Sequence, residues 1–305
     1  MKRIILDTDI GSDVDDAFAL ALAMRTPDIR IEGVTTVYGD VWIRSRLAKK
    51  LLHLGGRPSV PVFPGIREPL LRNRNIFWAG HEDMLLADGE PLHIENKHAV
   101  DFIVETVMNH PGEMTLVPIG PLTNIAAAMI REPEIARRVK EIVMMGGVCR
   151  LGDNGAELPA TEHNIRCDPE AASVVFRSGA PIVMVGLDVT LKVRITSEEQ
   201  AKLKASGDPL NAALAESLER WLQYTKRNWT AMHDPLAVSL LVDRSLVTTR
   251  KMNVQVEYDH RHPTGQTVAT ADSNGNVDVC LDVDAPKFLA LLMRTLLPES
   301  SPDRV

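Results

Sequence analysis

Hydrophobic positions along the chain fall into two kinds of run that alternate. Five are short and continuous: RIIL (3–6), IEGVTTVY (31–38), MTLVPI (114–119), EIVMMG (141–146) and PIVMVGL (181–187). They lack polar alternation, the pattern of strands buried on both faces of a parallel sheet. Between them, apolar residues recur at helical spacing over 16–24, 43–54, 98–109, 122–130 and 169–177. This repeated order predicts an α/β fold: a doubly wound, mostly parallel central sheet with helices on both faces. Asp168 before Pro169, and Asp234 before Pro235, each read as an N-cap followed by proline at the first helical position. The stretch 196–242 reads as mostly helical. MNVQVEY (252–258) and VDVCLDV (277–283) then suggest a late strand pair, and APKFLALLMRTLL (285–297) a closing helix. With no repeat, linker or charge block, one domain over 1–298 is expected, followed by a frayed tail at 299–305.

Composition narrows the class without changing that picture. A chain of 305 residues can bury about three quarters of its unfolded surface, so no stapling is needed. The net charge of −7 and the lack of a Lys/Arg-rich patch argue against nucleic-acid and anionic-membrane partners. No apolar stretch approaches the roughly 20 residues of a membrane span. Cys149, Cys167 and Cys280 are sparse and far apart, which fits a reducing compartment, and the N-terminus lacks the features of a signal peptide. The expected location is the cytoplasm, where the sequon at Asn228 is a chance match.

The first βα turn carries the chemistry. In RIILDTDIGSDVDDAFALALA (3–23), Asp7, Asp9, Asp13, Asp15 and Asp16 crowd the point where a strand gives way to a helix. Sites in open α/β sheets form at the carboxyl ends of strands. The dipole of the following helix favours nearby carboxylates by at most about 2 kcal/mol each, too little for five charges. A divalent cation balances them, and hard oxygen donors select Ca²⁺ or Mg²⁺ over Zn²⁺. The turn is no EF-hand, because its glycine comes one position early and no Glu closes the loop.

The same residues resemble a known family. DTDIGSDVDDAFAL is similar to the N-terminal signature of the inosine-uridine-preferring nucleoside hydrolases. GVTTVYGD (33–40), LVPIGPLTNIAAA (116–128), IVMMGG (142–147), EHNIRCDPEAASVVF (162–176), MHDPLAV (232–238) and NVDVCLDV (276–283) resemble further family blocks in family order. The resemblance implies a Ca²⁺-assisted N-ribohydrolase, commonly a homodimer or homotetramer, that splits a ribonucleoside with water. Carried over residue by residue, it implies Asp9, Asp16, the backbone carbonyl of Ile119 and Asp234 as metal ligands. It implies Asp15 as general base. The family turn usually has one residue between the glycine and the Asp pair, whereas Ser12, Asp13 and Val14 stand here, so Asp13 is an alternative base.

Around the sugar, the resemblance implies Glu162 and Asn164 at the 5′-hydroxyl, with Asn154 as a further contact. Asp40, where many members carry Asn, is expected to reach the sugar or the outer shell of the metal. Met145 is expected to line the sugar pocket. Around the base, His233 is expected to donate a proton, a role that suits imidazole near neutral pH. His81, Trp78, Tyr224 and Trp229 are expected beside the base, within loops 74–86 and 221–232. A carboxylate at Glu162 would disfavour 5′-phosphates. Two other classes compete: a Mg²⁺-dependent phosphatase with Asp7 as nucleophile, and a non-catalytic nucleoside- or sugar-binding protein.

Overall fold

The computed structural model describes residues 1–150, 158–259 and 263–297. The chain opens with β1 (Lys2–Thr8), α1 (Asp15–Arg25), β2 (Ile29–Thr36), α2 (Val41–Leu54), β3 (Val62–Pro64), α3 (Ala99–Asn109), β4 (Met114–Pro118) and α4 (Thr123–Arg131). It continues with α5 (Ile135–Arg138), β5 (Glu141–Met145), α6 (His163–Cys167), α7 (Pro169–Phe176), β6 (Ile182–Val185), α8 (Leu187–Thr190), β7 (Arg194–Thr196) and α9 (Ser197–Ala205). It ends with α10 (Pro209–Thr225), β8 (Trp229–Ala231), α11 (His233–Ser239), β9 (Val247–Val256), β10 (Thr267–Ala271), β11 (Val277–Val283) and α12 (Ala285–Leu296).

Nine strands form one sheet in the order β10-β9-β11-β6-β5-β4-β1-β2-β3. From β3 through β11 the neighbours run parallel, while β9 and β10 add an antiparallel edge ribbon. The strands read from continuous apolar runs are the parallel ones, as burial on both faces requires. Ile4 and Leu6 pack into one helical layer and Ile5 into the opposite one. Helix α1 is buried at every position from Asp15 to Met24, which explains why its apolar residues run all round instead of forming a stripe. The expected doubly wound α/β fold is therefore the observed one.

Three local expectations change. The region 196–242 is helical only in part, because Trp229–Ala231 pairs antiparallel with Arg194–Thr196. The break comes at Lys226, which closes α10 in the left-handed conformation (φ 55°) without the glycine that usually marks such an end. The late pair is real, with Val277 opposite Met252, but β11 also joins β6 and β10 covers the far side of β9. Finally, α11 starts at His233 with Met232 at its N-cap, and no side chain caps it. Asp234 is not the cap expected from HDP, since its carboxylate is turned into the acidic group described below. Asp168 does cap α7, accepting from Ala171 N at 3.1 Å. The tail at 299–305 lies outside the described residues. Among the described residues, no helix is long and apolar enough to cross a membrane.

Candidate active site

Strands β1 and β4 are neighbours, but the chain leaves β1 toward β2 on the other side. This is the switch point of the sheet, and the loops after β1 and β4 open a crevice there. Asp7 lies level with Thr35 on β2 and Pro118 on β4, so the turn after β1 and the residue Ile119 meet at one height. A cavity of about 850 Å³ sits above them. Its floor carries Asp9, Asp13, Asp15, Asp16 and Asp234.

Carboxylate oxygens of Asp15, Asp16 and Asp234 all lie within 4.8 Å of one another, and all three residues are buried. Asp234 arrives from α11, where its backbone N donates to Asp15 Oδ2 at 3.2 Å. Thr8 Oγ1 donates to Asp16 Oδ1 and accepts from Ile10 N. Burial raises the carboxyl groups of Asp15, Asp16 and Asp234 well above the ordinary range, and mutual repulsion raises them further. Asp13 is pushed up to about 7, first by burial and then by the charge of Asp16. A buried all-oxygen set of this kind fits a hard divalent cation, which would remove the repulsion. Asp9 lines the same cavity but lies outside the tight trio. Gly120 leaves room for it, since a Cβ there would stand 2.7 Å from Asp9 Oδ1. Ile119 lines the cavity with its carbonyl accepting from Asn164 Nδ2 at 2.8 Å.

The wall expected to hold the sugar is assembled by α6. Glu162 caps that helix, accepting from Asn164 N at 2.7 Å and Ile165 N at 3.0 Å, and it also accepts from Gly147 N at 3.0 Å. Asn164 Nδ2 bridges the carbonyls of Ile119 and Met145 at 2.8 and 3.2 Å. Glu162, Asn164 and Met145 all line the cavity. Asn154 lies outside the described residues.

On the opposite wall, His233 Nδ1 is 2.7 Å from Thr190 Oγ1. Burial lowers its pKa to about 4, which favours the neutral imidazole near pH 7. Trp229 lines the cavity, but the Arg194 guanidinium lies 3.9 Å over its ring and that of Arg227 is 5.6 Å away. At least part of the ring is thereby already covered.

Other expectations move away from the cavity. Asp40 is engaged at the start of α2, accepting from Trp42 N at 3.0 Å and Ile43 N at 3.2 Å, and it does not line the cavity. One carboxylate oxygen of Asp40 is thus engaged by the first turn of α2. His81 turns toward the acidic turn, with Nε2 2.9 Å from the Ser12 carbonyl, and packs edge-on to Tyr224 and Trp221. Asp7, the nucleophile of the phosphatase alternative, is fully buried beneath the site. Its Oδ1 accepts from Thr35 Oγ1 at 2.5 Å and Asn124 Nδ2 at 2.8 Å, which leaves no path to a substrate.

Two residues that sequence reasoning passed over organise the turn. Arg44 is fully buried and donates to the carbonyls of Asp9, Ile10 and Tyr38. Its signal was available: Arg44 stands in register with Leu47, Ala48 and Leu51 on the buried stripe of α2, where a charge is out of place. Glu82, 2% exposed, accepts from Ser12 Oγ and from three successive backbone N–H groups. A lone Glu in a loop gives no such warning.

Comparison with known proteins agrees with this geometry. The family model of the inosine-uridine preferring nucleoside hydrolases matches residues 4–290. A protein named pyrimidine-specific ribonucleoside hydrolase RihA, from Citrobacter koseri, is 35% identical, covering 96% of this chain and 97% of that one. The solved structure of a purine-preferring ribonucleoside hydrolase from Gardnerella vaginalis aligns with a TM-score of 0.86 at 32% identity, over 97% and 98% of the two chains. A plant nucleoside hydrolase structure gives the same TM-score at 30% identity, over 97% and 99%. A family match across nearly the whole chain, joined to carboxylates gathered at the switch point, makes this protein a member of the inosine-uridine preferring nucleoside hydrolase family and an enzyme that cleaves ribonucleosides at the N-glycosidic bond.

Proposed function

We propose that the protein converts a ribonucleoside and water to ribose and free base by direct displacement, using Ca²⁺ held by Asp9, Asp16, Asp234 and the Ile119 carbonyl. The observation that carries this reading is the buried carboxylate trio on the cavity floor, closed by a residue 219 positions along the chain from Asp15. When bound, a divalent cation there balances the carboxylates and makes a water acidic enough to attack near neutral pH.

The chain's own groups supply the rest. Asp15 takes the proton from the attacking water, the role a carboxylate fills when within hydrogen-bond reach. Positive charge builds on the ribose ring as the bond to the base breaks. The surrounding carboxylates favour that charge by their field. Glu162 and Asn164, locked by their backbone partners, orient the 5′ end of the sugar. His233, with one nitrogen fixed by Thr190, presents its other nitrogen to the departing base as a neutral imidazole. The active form is proposed to be a homodimer or homotetramer, by resemblance to the family, and its sparse cysteines support a place in the reducing cytoplasm.

One observation favours a second assignment of the base. Asp15 belongs to the tight trio and accepts the Asp234 N–H, whereas Asp13 lines the same cavity outside that trio. Asp15→Asn and Asp13→Asn separate the two. Loss of turnover with Ca²⁺ affinity intact marks the base, and loss of both marks a ligand.

The activity test is ribose release from uridine, cytidine, inosine and adenosine, with and without a chelator, and with uridine 5′-monophosphate for comparison. Ribose release should fall with the chelator and return with Ca²⁺. Turnover untouched by exhaustive chelation would overturn the cation reading, and equal turnover of the monophosphate would overturn the place of Glu162 at the 5′ end.

A further inference from the structure

Arg44 and Glu82 meet at one hydroxyl of the acidic turn. Ser12 Oγ donates to Glu82 Oε1 at 2.7 Å, and Arg44 Nη2 donates to Ser12 Oγ at 3.4 Å. Both charged side chains are buried. Among the described residues, Arg44 forms no direct ion pair; its guanidinium donates to the backbone carbonyls of Asp9, Ile10 and Tyr38, and its charge favours the ionised form of Asp16. Glu82 gathers Ala79 N, Gly80 N and His81 N at 2.6, 2.8 and 2.9 Å. His81 adds a second tie from the loop to the Ser12 carbonyl at 2.9 Å. The packing is close enough to dictate sequence, because a Cβ on Gly11 (φ +124°) would stand 3.3 Å from Glu82 Cβ and Cγ. Trp78, on the same loop, lies against the Arg44 guanidinium at 4.9 Å, and Phe77 reaches the wall of the main cavity.

We propose that Ser12, Arg44 and Glu82 form a brace that presets the acidic turn for its cation and couples that turn to the loop 77–82 on the cavity wall. These are positioning residues, acting through the turn, and the cation half of the proposal rests on the function proposed above. The brace also gives a purpose to the extra residues between Gly11 and the Asp pair. Ser12 is the first of them, and its hydroxyl and carbonyl are the groups the loop holds. Coupling of this kind is reciprocal: a ligand that orders the turn must also order the loop.

The test uses the full chain and its Ser12→Ala and Glu82→Gln variants, with Ca²⁺ alone as probe. Calorimetry gives the Ca²⁺ affinity, and amide hydrogen exchange reports the N–H groups of residues 79–81. Loss of a group that orients metal ligands typically weakens metal binding 10- to 100-fold. We expect a loss in that range for both variants. Exchange at 79–81 should slow when Ca²⁺ binds the unmodified protein, and this response should vanish in Ser12→Ala. Affinities within twofold of the unmodified protein, or an unchanged Ca²⁺ response at 79–81, would overturn the brace. If the unmodified protein takes up no Ca²⁺, the cation reading fails by itself. The brace is then judged without metal: faster exchange at 79–81 in Ser12→Ala supports it, and equal exchange overturns it.

Discussion

Gly120→Ala, just after β4, is a one-methyl perturbation aimed at the floor of the cavity. A Cβ there would meet Asp9 Oδ1 at 2.7 Å, Asp9 N at 2.9 Å and Val37 Cγ1 at 3.0 Å. The carboxylate can rotate away, but the backbone nitrogen is less free to move, since Arg44 already holds the Asp9 carbonyl. Overpacking of this sort costs about 1–3 kcal/mol of stability. In a protein of this size that is a fall in Tm of roughly 2–6 °C. The larger effect should be functional. If Asp9 is a ligand, displacing it should weaken Ca²⁺ binding at least tenfold, which corresponds to about 1.4 kcal/mol. Gly33→Ala is the control. Its Cβ would lie 2.6 Å from Phe102 Cζ, in a ring stacked on Phe63 at 3.9 Å and away from the acidic turn. It should lose comparable stability while keeping its Ca²⁺ affinity. Scanning calorimetry and Ca²⁺ titration of both variants decide the matter. Equal Ca²⁺ affinities in Gly120→Ala and Gly33→Ala would refute Asp9 as a ligand held by that close approach.

Further expectations concern stability and pH. Removing divalent ions with a chelator should lower Tm, and Ca²⁺ at 100 times its Kd should restore about 2.7 kcal/mol, seen as a concentration-dependent Tm; a flat Tm would contradict the site. Asp168→Ala should cost about 2–4 kcal/mol in urea unfolding. That carboxylate caps α7, accepts Thr123 Oγ1 at 2.7 Å and Leu70 N at 2.8 Å, and would leave these donors unpaired in a buried place. Glu82 is buried, which alone would raise its pKa, but hydrogen bonds from Ser12 and the 79–81 backbone hold it below the ordinary value of 4.5. The sign follows from linkage: its contribution is complete above that value and fades as the pH falls through the lowered one. Protection of residues 79–81 should therefore drop on acidification below about 4.5, and Glu82→Gln should show no such step.

Much of this architecture was legible because its signals are local. The strands from RIIL to PIVMVGL announce themselves as unbroken apolar runs, and Asp168-Pro169 marks the start of a helix by chemistry confined to adjacent residues. The acidic turn was legible for a different reason: five like charges at one turn demand an explanation wherever they occur. What escaped depends on tertiary placement. The WTA strand depends on pairing with residues 194–196, and α10 before it ends on Lys226 without glycine. The local DP pattern read Asp234 as a cap, and only the family resemblance placed it with the acidic turn, where the carboxylates of Asp15 and Asp16 meet it. That Asp40 caps α2 was not read from the sequence, where only a contact to the sugar or the outer shell of the metal was carried over from the family pattern. Glu82 has no sequence signal at all, because its partners are backbone groups of its own loop and one serine 70 positions earlier.

The hydrogen bond from Asp234 N to Asp15 spans 219 positions of the chain. Its consequence is temporal. A nascent polypeptide that has emerged only as far as α10 already contains the acidic turn but not the residue that completes it. If the proposed site is the working one, its contacts are thus among the last the molecule can make. Loop closure over that distance is entropically slow to reward. Appearance of catalysis during refolding should therefore time the end of the reaction, and a truncated product stopping before His233 should be inert toward nucleosides however well its parallel strands have formed.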